Sequence, residues 1–299
     1  MSMGDLITMD DLTNEEILQV LDNARSLVPV AKGDVYLPLL QGKVLGNLFF
    51  ENSTRTRMSF ETAMKRLGGE VLNLSSIGSS VAKGETLYDT MQMVDGYADI
   101  AVIRHPNQGA AQYSADAVEI PILNGGDGAG NHPTQTMLDL FTIREAHGSL
   151  EGLNVMMVGD LRYGRTTHSL SHALVRFGAK ITLVSPESLR MPDEIVSDLI
   201  SHGGEINETE EMSLSIDSAD VIYMTRIQKE RFPDEDEYIK VAGIYKLTED
   251  DLSGAKAGMI VMHPLPRVNE LDASVDSTKH ARYFQQAFNG VPTRMALLC

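Results

Sequence analysis

Apolar residues along the chain follow two spacings that alternate. After Thr13, the residues Ile17, Leu18, Leu21, Ala24 and Leu27 recur at helical spacing, and Thr13 with Glu16 has the spacing of a capping box. A short apolar run over 44–50 reads as a strand. The polar break Glu51-Asn52-Ser53-Thr54 follows it, and then Phe60, Ala63, Met64 and Leu67 resume the helical period until Gly68-Gly69 stops it. The same order repeats, with strands predicted over 71–74, 100–103 and 121–124 and helices over 86–97 and 136–146, the last stopped by Gly148. Residues 125–131 read as a glycine-rich loop. A second series opens with a strand over 154–158, a loop over 159–166, a helix running to Phe177 and a strand over 180–184. It continues with strands over 221–224 and 259–262 and a last helix from near Tyr283. The stretches 192–211 and 233–237 read as acidic surface segments.

Strands alternating with helices predict an α/β protein built from parallel sheets, with ligand sites at the carboxyl ends of the strands. A chain of 299 residues accommodates two domains at about 150 residues each. The expected architecture is two lobes, each a doubly wound parallel sheet flanked by helices, joined by interdomain helices. The boundaries read as 1–149, 150–283 and a C-terminal helix over 284–299 that packs back toward the first lobe.

Composition narrows the function. A net charge of −17 argues against nucleic acid as a partner, because binding a polyanion needs a basic footprint. The single cysteine, Cys299, provides neither an intrachain disulfide nor a Cys-based zinc site. No apolar run reaches the roughly 18 residues of a membrane span, and the N-terminus lacks the basic flank and apolar core of a signal peptide. A cytoplasmic protein that binds no membrane is the expectation.

The candidate chemistry lies where strands end. Ser53-Thr54-Arg55-Thr56-Arg57 stands between a strand and an amphipathic helix. Hydroxyls and N–H groups at a helix N-terminus favour an anion, and guanidinium groups add paired contacts to phosphate oxygens. Taken alone the segment also reads as an ordinary cap followed by solvated arginines. Arg104-His105-Pro106 ends the 100–103 strand, and His132-Pro133-Thr134-Gln135 opens a helix. An arginine and a neutral histidine there can donate to a carbonyl oxygen on which negative charge grows, although a lone histidine before proline is more often a capping residue. Ser79 and Lys83 lie in a small polar loop that by itself is a surface turn. The 159–166 loop opens a helix after a strand but lacks the Gly-x-Gly-x-x-Gly spacing of a dinucleotide site. Arg165, Arg226 and Arg231 read more simply as cations at strand ends, suited to a carboxylate. In His263-Pro264-Leu265-Pro266-Arg267 the two prolines favour a turn that presents carbonyls, or simply a rigid loop.

Together, in order and across nearly the whole chain, these segments resemble the aspartate and ornithine carbamoyltransferase family. The resemblance implies a carbamoyl phosphate-binding domain over 1–149 and an aspartate-binding domain over 150–283. Carbamoyl phosphate would be held by Ser53, Thr54, Arg55, Thr56 and Arg104, with Thr56, Arg104 and His132 around its carbonyl oxygen. Gln135 and the carbonyls of Leu265 and Pro266 would hold its amide. Arg165, Arg226, Gln228 and Lys83 would meet the carboxylates of L-aspartate. The catalytic set implied is Arg55, Thr56, Arg104 and His132, with Glu51 bridging Arg165 and Arg231 when the lobes close. Neither a metal nor an organic cofactor is implied. The partners implied are the two substrates and a homotrimer in which Ser79 and Lys83 reach a neighbour's site. A regulatory chain is a further partner the resemblance allows, since Asn107-Gln108-Gly109-Ala110-Ala111 lies where relatives contact one, although its composition is equally that of an ordinary loop. Aspartate is favoured because Pro264 stands where ornithine enzymes carry cysteine; a carbamoyltransferase for ornithine or another amine is the alternative. The pathway implied is pyrimidine biosynthesis.

Overall fold

The Thr13 and Glu16 pair closes as its spacing predicts. The Thr13 hydroxyl accepts from the Glu16 N–H at 3.2 Å, the Glu16 carboxylate accepts from the Thr13 N–H at 2.8 Å, and helix α1 (Asn14–Lys32) follows. The computed structural model describes residues 4–75, 84–227, 238, 241 and 243–299. The chain divides into two units, Met1–Phe141 with Phe288–Cys299, and Thr142–Ala287.

In the first unit, β1 (Val44–Phe49), α2 (Thr54–Arg66), β2 (Glu70–Ser75), α3 (Leu87–Asp95), β3 (Ile100–His105), α4 (Ala110–Ala115) and β4 (Ile122–Asp127) follow α1. The four strands are parallel in the order β2-β1-β3-β4. Leu48, Met91, Ala101, Ile103 and Ile122 form part of one apolar cluster there. Strand order reverses between β1 and β3, whose register sets Phe49 beside Arg104. Such a switch point leaves a crevice at the carboxyl ends. The unit also exposes large apolar side chains at Tyr36, Leu39, Met58 and Leu72.

Helix α5 (Pro133–His147) leads into the second unit. There β5 (Asn154–Val158), α6 (Arg165–Val175), β6 (Lys180–Val184), α7 (Asp193–Ser201), β7 (Glu205–Thr209), β8 (Val221–Met224) and β9 (Ile260–Met262) build a parallel sheet in the order β7-β6-β5-β8-β9. Its switch point lies between β5 and β8. Met156, Val158, Ile222, Met224, Val261 and Tyr283 share its core. The last helix, α8 (Tyr283–Leu298), carries the chain back into the first unit, where Met295, Ala296, Leu297 and Leu298 are buried. Among the described residues no helix is long and apolar enough to cross a membrane.

Three elements differ from the sequence reading. Within 192–211, read as an acidic surface segment, stand α7 and β7. Leu199 is the buried side chain of α7, and β7 is an edge strand defined by its ladder to β6 while Glu205, Asn207 and Glu208 face solvent. Strand β4 continues through Gly125 and Gly126, where a glycine loop was expected. A Cβ on Gly125 would meet Val102 Cγ2 at 3.1 Å and the Ile103 carbonyl at 3.2 Å, so glycine serves close strand approach there. The short helix α4 is built largely of small residues that give no helical period.

Candidate active site

The first-unit switch point places the Ser-Thr-Arg segment at the start of α2. Ser53 is its N-cap, extended at φ −157 and ψ 103, yet its side chain makes no capping bond and the first turn holds no acidic residue. The N-terminal amides of α2 lie outside the helix's own ladder, and with the positive end of the helix dipole they suit an anion. Thr54 and Arg55 are exposed and Thr56 is buried. From inside, the Ser59 hydroxyl donates to the Arg55 carbonyl at 2.6 Å and the Thr56 carbonyl at 2.9 Å. Arg294, arriving on α8 and 2% exposed, donates to Ser59 Oγ at 2.5 Å and lies 4.9 Å over the Phe60 ring. Burial pushes its pKa down to about 9, with Asp139 acting against that and Arg104 adding to it.

Arg104 lies at the carboxyl end of β3 and is 8% exposed. Its Nη1 donates to the Gly125 carbonyl at 3.1 Å, and its Nη2 lies 3.3 Å from Glu51 Oε2. The Phe50 N–H donates to the Arg104 carbonyl at 2.8 Å, so loop 50–53 is tied to the strand that carries this guanidinium. His105, beside the Phe50 ring at 5.4 Å, accepts from the Asn107 N–H through Nδ1. Burial holds its pKa below the usual imidazole value. His132 is buried at the start of α5, its carbonyl accepting the Gln135 and Thr136 N–H groups and its Nδ1 3.4 Å from Thr134 Oγ1. Gln135 donates to Asp139 Oδ1 at 3.0 Å.

A carboxylate that the sequence reading missed fixes this neighbourhood. Asp127 ends β4 at 4% exposure. Its Oδ1 accepts from the Asn131 N–H at 2.7 Å and from Asn124 Nδ2 at 3.2 Å, and its Oδ2 accepts from the Gly109 N–H at 2.8 Å. The segment before His132 and the segment after Arg104 thus share one anchor. Its signal in the sequence was Gly126-Asp127-Gly128, a turn residue between glycines. Ser59 and Arg294 carried no local signal, being 235 positions apart.

In the second unit, Arg165 is buried at the first position of α6 and Arg226 follows Thr225 beyond β8. Gly159, after β5, is fixed by contact: at φ 121 a Cβ would sit 2.3 Å from the Thr225 carbonyl oxygen. A cavity of about 230 Å³ opens there, with Gly159, Thr225, Arg226, Tyr245 and Glu270 among its lining residues. Leu265 and Pro266 follow β9 in a turn where Leu265 takes φ 57, a left-handed conformation that costs a non-glycine residue roughly 1–2 kcal/mol. Ser79, Lys83, Gln228 and Arg231 lie outside the described residues.

Comparison with known proteins agrees with a fold of two parallel-sheet domains. Residues 4–145 match the family model described as aspartate/ornithine carbamoyltransferase, carbamoyl-P binding domain, and residues 151–299 match the Asp/Orn binding domain of the same family. The chain is 56% identical over 297 residues to the aspartate carbamoyltransferase catalytic subunit of Archaeoglobus fulgidus, covering 99% of this chain and 98% of that one. It superposes on the catalytic subunit of aspartate transcarbamoylase from M. jannaschii with a TM-score of 0.92 at 50% identity, covering 99% and 97% of the two chains. It superposes on aspartate transcarbamoylase from Trypanosoma cruzi in complex with carbamoyl phosphate with a TM-score of 0.94 at 39% identity, covering 99% and 95%. With two switch-point sites on two parallel sheets, and family models matching both halves, the chain belongs to the aspartate/ornithine carbamoyltransferase family.

Proposed function

We propose that this chain transfers the carbamoyl group of carbamoyl phosphate to the amino group of L-aspartate, giving N-carbamoyl-L-aspartate and phosphate. The observation that carries the reading is the start of α2, a helix N-terminus without side-chain cap or acidic residue, at the switch point it shares with the buried Arg104. A phosphate dianion matches that combination of amides, hydroxyls and guanidinium groups. Relatives solved with carbamoyl phosphate, with aspartate and with N-(phosphonacetyl)-L-aspartic acid support the substrate pair.

In this reading Ser53, Thr54, Arg55 and Thr56 hold the phosphate. Thr56, Arg104 and His132 donate to the carbonyl oxygen as charge develops on it, the role in which fixed donors contribute most. Gln135 and the carbonyls of Leu265 and Pro266 take the carbamoyl NH₂, and Arg165, Arg226, Gln228 and Lys83 take the aspartate carboxylates. The deprotonated, neutral amine attacks the carbamoyl carbon and the new N–C bond forms. The bond from that carbon to the bridging oxygen breaks with its electron pair going to phosphate, and the proton shed by the nitrogen passes to the phosphate, which leaves as a dianion. Glu51 bridges Arg165 and Arg231 on closure. Residues 1–149 act as the carbamoyl phosphate domain and 150–283 as the aspartate domain.

The assembly proposed is a homotrimer in the cytoplasm, serving pyrimidine biosynthesis, with Ser79 and Lys83 completing a neighbour's site. The apolar side chains exposed at Tyr36, Leu39, Met58 and Leu72 support self-association. The name catalytic subunit given to relatives supports a regulatory partner chain. The test is phosphate release from carbamoyl phosphate by the purified chain, with L-aspartate and L-ornithine in parallel and with Arg55→Ala. Release that depends on aspartate and is lost in the variant is expected; release with ornithine alone moves the chain to the other branch of its family.

A further inference from the structure

Beneath the turn that carries Leu265 and Pro266 lies a buried pair to which the scheme above gives no role. His263 is 1% exposed and Glu270 8%. The Leu265 N–H donates to His263 Nδ1 at 2.8 Å, so that nitrogen must keep its lone pair. The ring proton therefore sits on Nε2, which donates to Glu270 Oε1 at 2.7 Å. Glu270 also accepts from the Val268 N–H at 3.2 Å and the Asn269 N–H at 3.1 Å, and the His263 N–H donates to Gln286 Oε1 at 2.8 Å. The imidazole thus grips the N–H of the very residue held at φ 57. A non-glycine residue persists in that conformation only where its surroundings determine it. Pro264 and Pro266 bring no N–H, so the turn is rich in acceptors and poor in donors.

We infer that His263, backed by Glu270, is a positioning residue that makes the site specific for a carbamoyl amide. By holding the Leu265 N–H on Nδ1 it fixes the Leu265 and Pro266 carbonyls where one NH₂ group can donate to both. The inference rests on the reading of this turn as the amide subsite. Acetyl phosphate is the probe that isolates it, because a methyl group replaces the NH₂ and everything else is retained. A site built to hydrogen-bond a polar group rejects the analogue that lacks it.

Affinities for carbamoyl phosphate, acetyl phosphate and inorganic phosphate would be measured by calorimetry on the full chain, wild type and with His263→Asn, His263→Gln and His263→Ala. Asparagine places an oxygen near the Nδ1 position and glutamine a nitrogen near Nε2, so the pair separates the two ring contacts. The expected result is a preference for carbamoyl over acetyl phosphate that H263N largely keeps and H263Q and H263A reduce at least about tenfold. Affinity for acetyl phosphate and inorganic phosphate should stay within about twofold throughout. An H263Q that keeps the preference, or a parallel loss for all three ligands, overturns the inference; should H263A fail to fold, the asparagine and glutamine pair decides alone. A wild type that does not separate carbamoyl from acetyl phosphate also overturns it, whereas failure of the carbamoyl-transfer reading itself appears separately, as absent aspartate-dependent phosphate release.

Discussion

Replacing Asp127 by asparagine keeps the shape of the side chain and removes the property on which its surroundings depend. Both carboxylate oxygens face N–H donors: Oδ1 takes Asn131 and Asn124, and Oδ2 takes Gly109. However the amide is turned, its NH₂ meets at least one of those donors. One bond to a charged acceptor is lost, about 1.5–3 kcal/mol, and the others weaken to neutral bonds at about 1 kcal/mol less each. At 4% exposure water does not take their place. The sum is about 3–5 kcal/mol, which lowers Tm on the order of 10 °C for a domain of this size. Turnover should fall with it, because the Asn131 N–H fixes the chain one residue before His132. The assay is thermal unfolding combined with hydrogen exchange at the Gly109 and Asn131 amides. A Tm within about 2 °C of wild type, with both amides exchanging at wild-type rates, would refute the reasoning.

Arg104→Ala should lower kcat by about 10²–10³ at saturating substrates, the usual effect of removing one donor to a developing oxyanion; steady-state phosphate release checks it. Ser59→Ala should cost about 1–3 kcal/mol of stability in urea unfolding by stripping the buried Arg294 guanidinium of its hydroxyl partner. Gly159→Ala should destabilise by about 3 kcal/mol or more, since the Cβ has no room against the Thr225 carbonyl and the φ is unfavourable, and a melting curve like wild type would count against this. Stability should fall in two stages as pH drops. Burial holds His105 and His147 below their ordinary 6.5, so below that pH the unfolded chain binds more protons and Tm declines. Burial pushes the Asp220 and Glu270 carboxyls up, but Lys256 and Asn154 at the first, and His263 and backbone N–H groups at the second, outweigh it and leave both below their ordinary 3.8 and 4.5. Their contribution is complete above those values and is lost as pH falls through the lower folded ones. A His147→Gln variant should flatten the first stage of a Tm-against-pH curve and leave the second in place.

Elements with a repeating apolar face were legible in the sequence, as were residues placed directly after a strand. Ile17, Leu21, Ala24 and Leu27 define α1 because they face one core, and Arg104 could be placed because four apolar residues run straight into it. Strand β7 was illegible for a physical reason: an edge strand with solvent on its side chains owes its form to backbone bonds, which leave no mark on residue type. Gly125 and Gly126 misled because glycine serves both turns and close strand packing. The residues that support the candidate site, Asp127, Ser59, Arg294 and Glu270, are legible only once distant segments have met. Helix spacing placed Ser59 on α2 but could not reveal that an arginine on the last helix lies beneath it.

The order in which the two units are threaded bears on how the protein is made. Thr142–Ala287 is interrupted by nothing, whereas the other unit needs Phe288–Cys299 to be whole. On the ribosome, domains generally fold as units in the order they emerge. Here the first to begin is the last to be finished, because Arg294 reaches Ser59 only after the entire second sheet has been translated. A chain truncated before residue 288 would therefore hold every residue of the 142–287 unit and an α2 still lacking its internal prop. That half-made unit, its Phe60 ring not yet covered by Arg294, is the species a chaperone would be called on to shield.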